Sequence, residues 1–80
     1  MGLFSKSYDD DEIKYEARQA IKQAPMIKVS DVKIMSKDGV VELIGEVRTV
    51  RYIRKAEDKI KSRLDRLGLE YKEIVNNLSA

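Results

Sequence analysis

Eight cations fall between residues 46 and 66, against four acids: Arg48, Arg51, Arg54, Lys55, Lys59, Lys61, Arg63 and Arg66. On a helix advancing about 100° per residue, with Ile60 marking the apolar stripe, Arg48, Lys55, Lys59, Arg63 and Arg66 share one flank. Arg51 lies near the back, and Tyr52 sits among them. A row of like charges with an amphipathic aromatic within it suits the phosphate groups of a lipid or a nucleic acid. The plainer alternative is a solvated face, or one neutralised by Glu42 and Glu46. On the other flank, Glu57 with Lys61, Lys61 with Asp65 and Arg54 with Asp58 stand four residues apart, the spacing at which opposite charges offset one another on a helix.

The acids offer less. Asp9, Asp10, Asp11 and Glu12 form a cluster, but calcium ligands normally alternate along a loop that a glycine bends, and this run has neither feature. Their better use is to begin a helix, with Asp9 and Glu12 spaced as an acidic capping box and the rest favoured by the positive end of the helix dipole. Glu42 and Glu46 share a strand parity and read as solvated charges. The 80 residues contain no Cys and no His, so thiol nucleophiles, histidine acid–base catalysis and the usual zinc sites are excluded, and no cofactor is expected. An enzyme is the least favoured class. Single-strand nucleic-acid platforms need several aromatics on one surface, whereas Tyr8, Tyr15, Tyr52 and Tyr71 are dispersed.

The elements that must hold these residues follow from periodicity. Ile13, Ala17, Ala20, Ile21 and Ala24 lie on one helix face, predicting a first helix from Asp10 to Ala24 that Pro25 stops. Val32 and Ile34 alternate with polar residues in a strand over Lys28 to Ser36. Asp38-Gly39, a pair that readily supplies the positive φ of a tight hairpin, folds it back onto Val40 to Val47. Thr49 then reads as the N-cap of a second helix, Val50 to Leu67, with Ile53, Ala56, Ile60, Leu64 and Leu67 on its apolar face and Gly68 as its left-handed end. A last strand carries Ile74 and Leu78, with Tyr71 and Val75 as further candidates. The order α-β-β-α-β predicts an α+β two-layer sandwich, a three-stranded sheet with both helices on one face.

One residue interrupts the second strand. Gly45 stands between Leu43 and Val47 on the inward parity, where a glycine packs nothing and loosens a strand. It is expected to admit a helix backbone, with Ala17 or Ala56 using the space; a β-bulge is the alternative. With the helices on one side, Met35, Val40 and Ile44 face away from the core and form a candidate sheet-face interaction surface.

Eighty residues make one small domain, near the limit at which a single core holds without disulfides or metal. Residues 1–8 read as a flexible N-terminal segment and 9–80 as the domain. "MGLFSKS" lacks the Ser or Thr of a myristoylation signal, having Lys6 there, and Leu3 and Phe4 read as a frayed terminus or a small hydrophobic foot. Without an apolar span or a leader, the chain as written reads as cytoplasmic, at most peripheral to a membrane.

These residues, in this order, carry a resemblance. "DDEI" opening helix one, the hairpin "VKIMSKDGVVELIGEV" with Asp38, Gly39, Val41, Leu43, Gly45 and Val47, Ala56 in helix two, and "KEIVNNLS" with Ile74, Asn76 and Leu78 resemble a BON domain. This bacterial module is found in osmotically inducible periplasmic proteins, secretin-like proteins, some channels and some cytoplasmic proteins. The resemblance spans Asp10 to about Ser79, with Gly68-Leu69 and a longer "EYKE" connection where the family has a Gly-Val pair close to its last strand. It implies the α/β fold above, a structural role for Gly45, and a non-catalytic module associated with phospholipid or membrane surfaces. The leading expectation is therefore docking on anionic phospholipid, or on an envelope protein, through Arg48, Arg51, Tyr52, Lys55, Lys59, Arg63 and Arg66. The alternative is protein association, including a weak homo-oligomer, through the open sheet face or edge.

Overall fold

The computed structural model describes residues 8–80, so the expectations for Leu3, Phe4 and Lys6 lie outside the described residues. Helix α1 spans Asp10–Lys22 and a 3-10 turn spans Val29–Asp31. Strands β1 (Val32–Lys37) and β2 (Val40–Glu46) follow, then helix α2 (Val50–Leu67) and strand β3 (Glu73–Ser79). The α-β-β-α-β order and the α+β class are those the periodicity predicts.

The sheet runs β1-β2-β3. β1 and β2 are an antiparallel hairpin whose turn, Asp38 and Gly39, takes φ of 52° and 83°, the paired positive angles expected of Asp-Gly. β3 returns parallel to β2, which a crossover through α2 makes geometrically possible. Strand alternation puts Val32, Ile34, Val41, Leu43 and Leu78 on one face, and these are buried with Ile13, Ala17, Ala20 and Ile21 of α1 and Ala56, Ile60 and Leu64 of α2. Ile13, Ile21, Val41, Leu43, Ile60 and Leu64 are fully enclosed, each such burial being worth about 1.5–3 kcal/mol. α1 runs from the hairpin turn toward the start of β1 and α2 runs the other way, so the helices are antiparallel over the sheet.

Four boundaries differ from those read in the sequence, the smallest being the end of β1, which runs on one residue to Lys37. α1 ends at Lys22, with Gln23 as its C-cap, because Pro25 both lacks an N–H and disfavours helical backbone at Ala24 before it. β1 begins at Val32, since Lys28 to Asp31 turn first, the Asp31 N–H donating to the Lys28 carbonyl at 3.0 Å; this lets Ile27 plug the base of the core. β2 ends one residue early, at Glu46. Tyr8, read as part of the leading segment, lies with its ring over Gly39 and packs against the core.

Gly45 does not face a helix. Its φ is +143°, and a Cβ built there would collide with the carbonyl oxygen of Asp31 and lie 3.1 Å from the Val32 Cα. The close neighbour is thus the backbone entering β1, and neither Ala17 nor Ala56 explains the glycine. There is no bulge either, for pairing runs residue by residue through Val32 to Gly45 and Gly45 to Leu78.

The C-terminus of α2 is closed as expected. Gly68 takes φ +71°, its N–H reaches the Asp65 carbonyl at 3.2 Å, and the Leu69 N–H reaches the Leu64 carbonyl at 2.9 Å, the two bonds of a Schellman motif. The connection that follows is pinned by the Lys72 N–H donating to the Gly39 carbonyl at 2.7 Å.

Candidate functional site

α2 presents its apolar stripe to the sheet, so its charged residues are turned outward. Arg51, Arg54, Lys55, Lys59 and Arg66 line an open groove of about 860 Å³, together with Ser62, Asp58 and Arg63, where the outer face of α2 meets Ala20 and Gln23 of α1. Of these five cations, none forms an ion pair or hydrogen bond among the described residues. Among the described residues, Asp58 is the single acid lining the groove.

The residues named from the sequence divide into four groups. Arg51, Lys55, Lys59 and Arg66 lie together in the groove. Arg63 lines it too, but its guanidinium donates through Nε to Glu16 at 2.7 Å and through Nη1 to Gln23 at 3.2 Å, making it a strut between α2 and α1. Tyr52 is half-buried against the core rather than in the groove. Arg48 precedes α2 and lines a separate depression with Pro25, Met26, Lys28, Asp31 and Glu46.

Arg54 was missed as a groove residue. Its spacing to Asp58 suggested a closed pair, yet among the described residues that pair is not formed, nor are those of Lys61 with Glu57 or Asp65. Glu57 instead accepts from the Asn76 amide at 3.1 Å, while the same amide donates to the Ile53 carbonyl at 2.8 Å and so fastens β3 beneath α2.

At the opposite end the acidic run also divides. Asp9 is the N-cap of α1, accepting from the Glu12 N–H at 3.2 Å. Asp10 reaches across to the hairpin, accepting from Ser36 Oγ at 2.7 Å, the Asp38 N–H at 2.7 Å and the Gly39 N–H at 3.0 Å. These donors, the Gly39 N–H foremost, hold its carboxyl below the ordinary aspartate value, since each favours the charged form. Among the described residues no cluster of acids is arranged to hold a metal ion.

On the uncovered face of the sheet, Ile44 is exposed while Met35 and Val40 are half-buried. Val75 of β3, paired with Glu42, joins the same face, and an Asn77 amide bonds Glu42 at 3.1 Å across it. Tyr71, by contrast, packs at the core edge, where loss of solvent and then the charges of Asp65 and Glu57 raise its pKa.

A comparison with family models gives a match to the BON domain over residues 9–79. The chain belongs to the BON domain family. No curated protein sequence matches it. BON domains are generally non-catalytic binding modules and are often linked to membrane or phospholipid binding. No helix of this BON domain, among the described residues, is long and apolar enough to cross a membrane.

Proposed function

We propose that this BON domain binds anionic phospholipid surfaces through the outer face of α2. The observation that carries this reading is the groove of five cations, Arg51, Arg54, Lys55, Lys59 and Arg66, left without partners among the described residues. Near an anionic leaflet each Lys or Arg contributes about 1 kcal/mol, and the attraction decays within a Debye length. Binding should therefore be salt-sensitive and need no large insertion. Arg63 is excluded from the binding set because Glu16 already takes its charge.

Co-sedimentation with neutral and with anionic vesicles, at low and at physiological salt, tests the reading. Retention by anionic vesicles only, weakened by salt and lost in the Lys55→Glu/Lys59→Glu variant, is the expected result. Equal retention of that variant would overturn it.

A second reading, self-association through the sheet face, is favoured by one observation: Ile44 stays 38% exposed on the uncovered face that also carries Met35, Val40 and Val75. Light scattering at high concentration decides it, a monomer counting against it.

A further inference from the structure

The antiparallel helices give the domain two unlike ends. One end gathers the turn after α1, Pro25 to Asp31, and the junction between β2 and α2, Val47 to Arg51. It carries Lys28, Arg48 and Arg51 against Asp31 and Glu46. The other end holds the start of α1, the hairpin turn and the start of β3, with Asp9, Asp10, Asp11, Glu12, Asp38 and Glu73 against Lys37 and Lys72. The domain is thus positive at one tip and negative at the other.

The positive tip also exposes apolar side chains. Val50, the first residue of α2, is 74% exposed, and Met26, in the turn after α1, is 50% exposed. Met26 shares a depression with Lys28 and Arg48, and Val50 shares the α2 groove with Arg51 and Gln23. Met26 projects from the turn after α1 and Val50 from the first turn of α2, and among the described residues both stay exposed. Leu67, exposed to a similar degree, stands at the far end of α2 between Arg66 and Gly68, near Asp65.

We propose that the domain lands on an anionic bilayer tip-first, with Met26 and Val50 entering the interfacial layer and Lys28, Arg48 and Arg51 meeting the lipid phosphates around them. This rests on the anionic-surface reading and gives it an orientation. The charge polarity turns the positive tip toward a negative leaflet before contact. Apolar side chains ringed by cations then suit the boundary between headgroups and acyl chains, where apolar burial adds to electrostatic attraction. The cationic groove of α2 runs back from this tip, so the helix lies tilted with its N-terminal turn deepest.

The sequence contains no Trp, which leaves single-tryptophan probes unambiguous. Val50→Trp, Met26→Trp and, as the control, Leu67→Trp are each mixed with phosphatidylcholine vesicles containing phosphatidylserine, with and without acyl-chain-brominated lipid. Co-sedimentation is read on the same samples. Blue-shifted emission and quenching at positions 26 and 50, with neither at 67, is the expected result. Sedimentation without quenching at 26 and 50 would overturn the insertion while leaving the surface reading intact; absence of sedimentation would overturn both. Met26→Ser/Val50→Ser, checked by circular dichroism, should weaken vesicle binding by roughly tenfold while keeping its salt dependence, because the removed contribution is apolar. An unchanged affinity in that variant would count equally against insertion.

Discussion

The guanidinium of Arg63 on α2 donates to the carboxylate of Glu16 on α1 at 2.7 Å, with both side chains more than four-fifths buried. Among the described residues it is the ion pair that joins the two helices, and the same guanidinium also donates to Gln23. Because the pair is withdrawn from water yet close to its edge, the coupling in a double-mutant cycle should be about 1–2 kcal/mol, above exposed pairs and below fully enclosed ones. The paired variant Arg63→Gln/Glu16→Gln keeps the net charge and should leave vesicle binding within about twofold, as attraction to a leaflet follows unpaired charge. Thermal melts and co-sedimentation of the same proteins check both statements.

Asp10 should make stability depend on acid. Its carboxyl titrates below the ordinary 3.8 in the folded protein, so between the two values the unfolded chain binds more protons. The stabilisation is therefore complete above the unfolded value and is lost as pH falls through the folded one. Asp10→Asn should melt at a lower temperature than the parent at pH 7, with the gap closing as the pH drops below that window. Melting curves over the acid range check this, and a constant gap would show that charge is not what Asp10 contributes.

The glycines should rank by what surrounds them. Gly68→Ala meets nothing within 4 Å and suffers only its φ of +71°, which costs about 1–2 kcal/mol for a residue with a Cβ. Gly45→Ala adds a collision with the Asp31 carbonyl to an unfavourable φ. It should cost at least about 3 kcal/mol, since strain and overpacking combine. Chemical denaturation of the two variants gives the order.

Ile44→Lys tests whether the open sheet face matters to the monomer. The side chain lies opposite Lys33 and Asn77, outside the core, so the loss of stability should stay at about 1 kcal/mol, most of it from the new like-charge pair with Lys33 and the lost β-branched residue. Any self-association through this face should disappear in the same variant, as sedimentation velocity would show.

Much of this architecture is written in local patterns. Ile13, Ala17, Ala20 and Ile21 mark α1 at helical spacing, and Asp38-Gly39 and Gly68 mark a turn and a helix end through backbone preferences that act within a few residues. What the sequence hides is long-range. Nothing near Arg63 points to Glu16, forty-seven positions away, and nothing near Gly45 points to the Asp31 carbonyl, because Lys28 to Asp31 alternate well enough to pass for strand. Asp10 left a faint signal, as the acids exceed what one cap can use and Asp9 fills that place. The groove was half legible: helical angles gather Arg51, Lys55, Lys59 and Arg66, but spacing alone cannot say whether Arg54 closes on Asp58.

The placement of β2 between an antiparallel and a parallel neighbour has a consequence for how the chain comes into being. β1 and β2 are joined by a two-residue turn and can pair within microseconds. β3 must wait until α2 has been synthesised and laid across the sheet, since parallel partners require a crossover. During synthesis β2 therefore keeps a bare, hydrogen-bonding edge for as long as it takes to make residues 47 to 79. An unpaired edge of that kind is what neighbouring nascent chains and chaperones meet first.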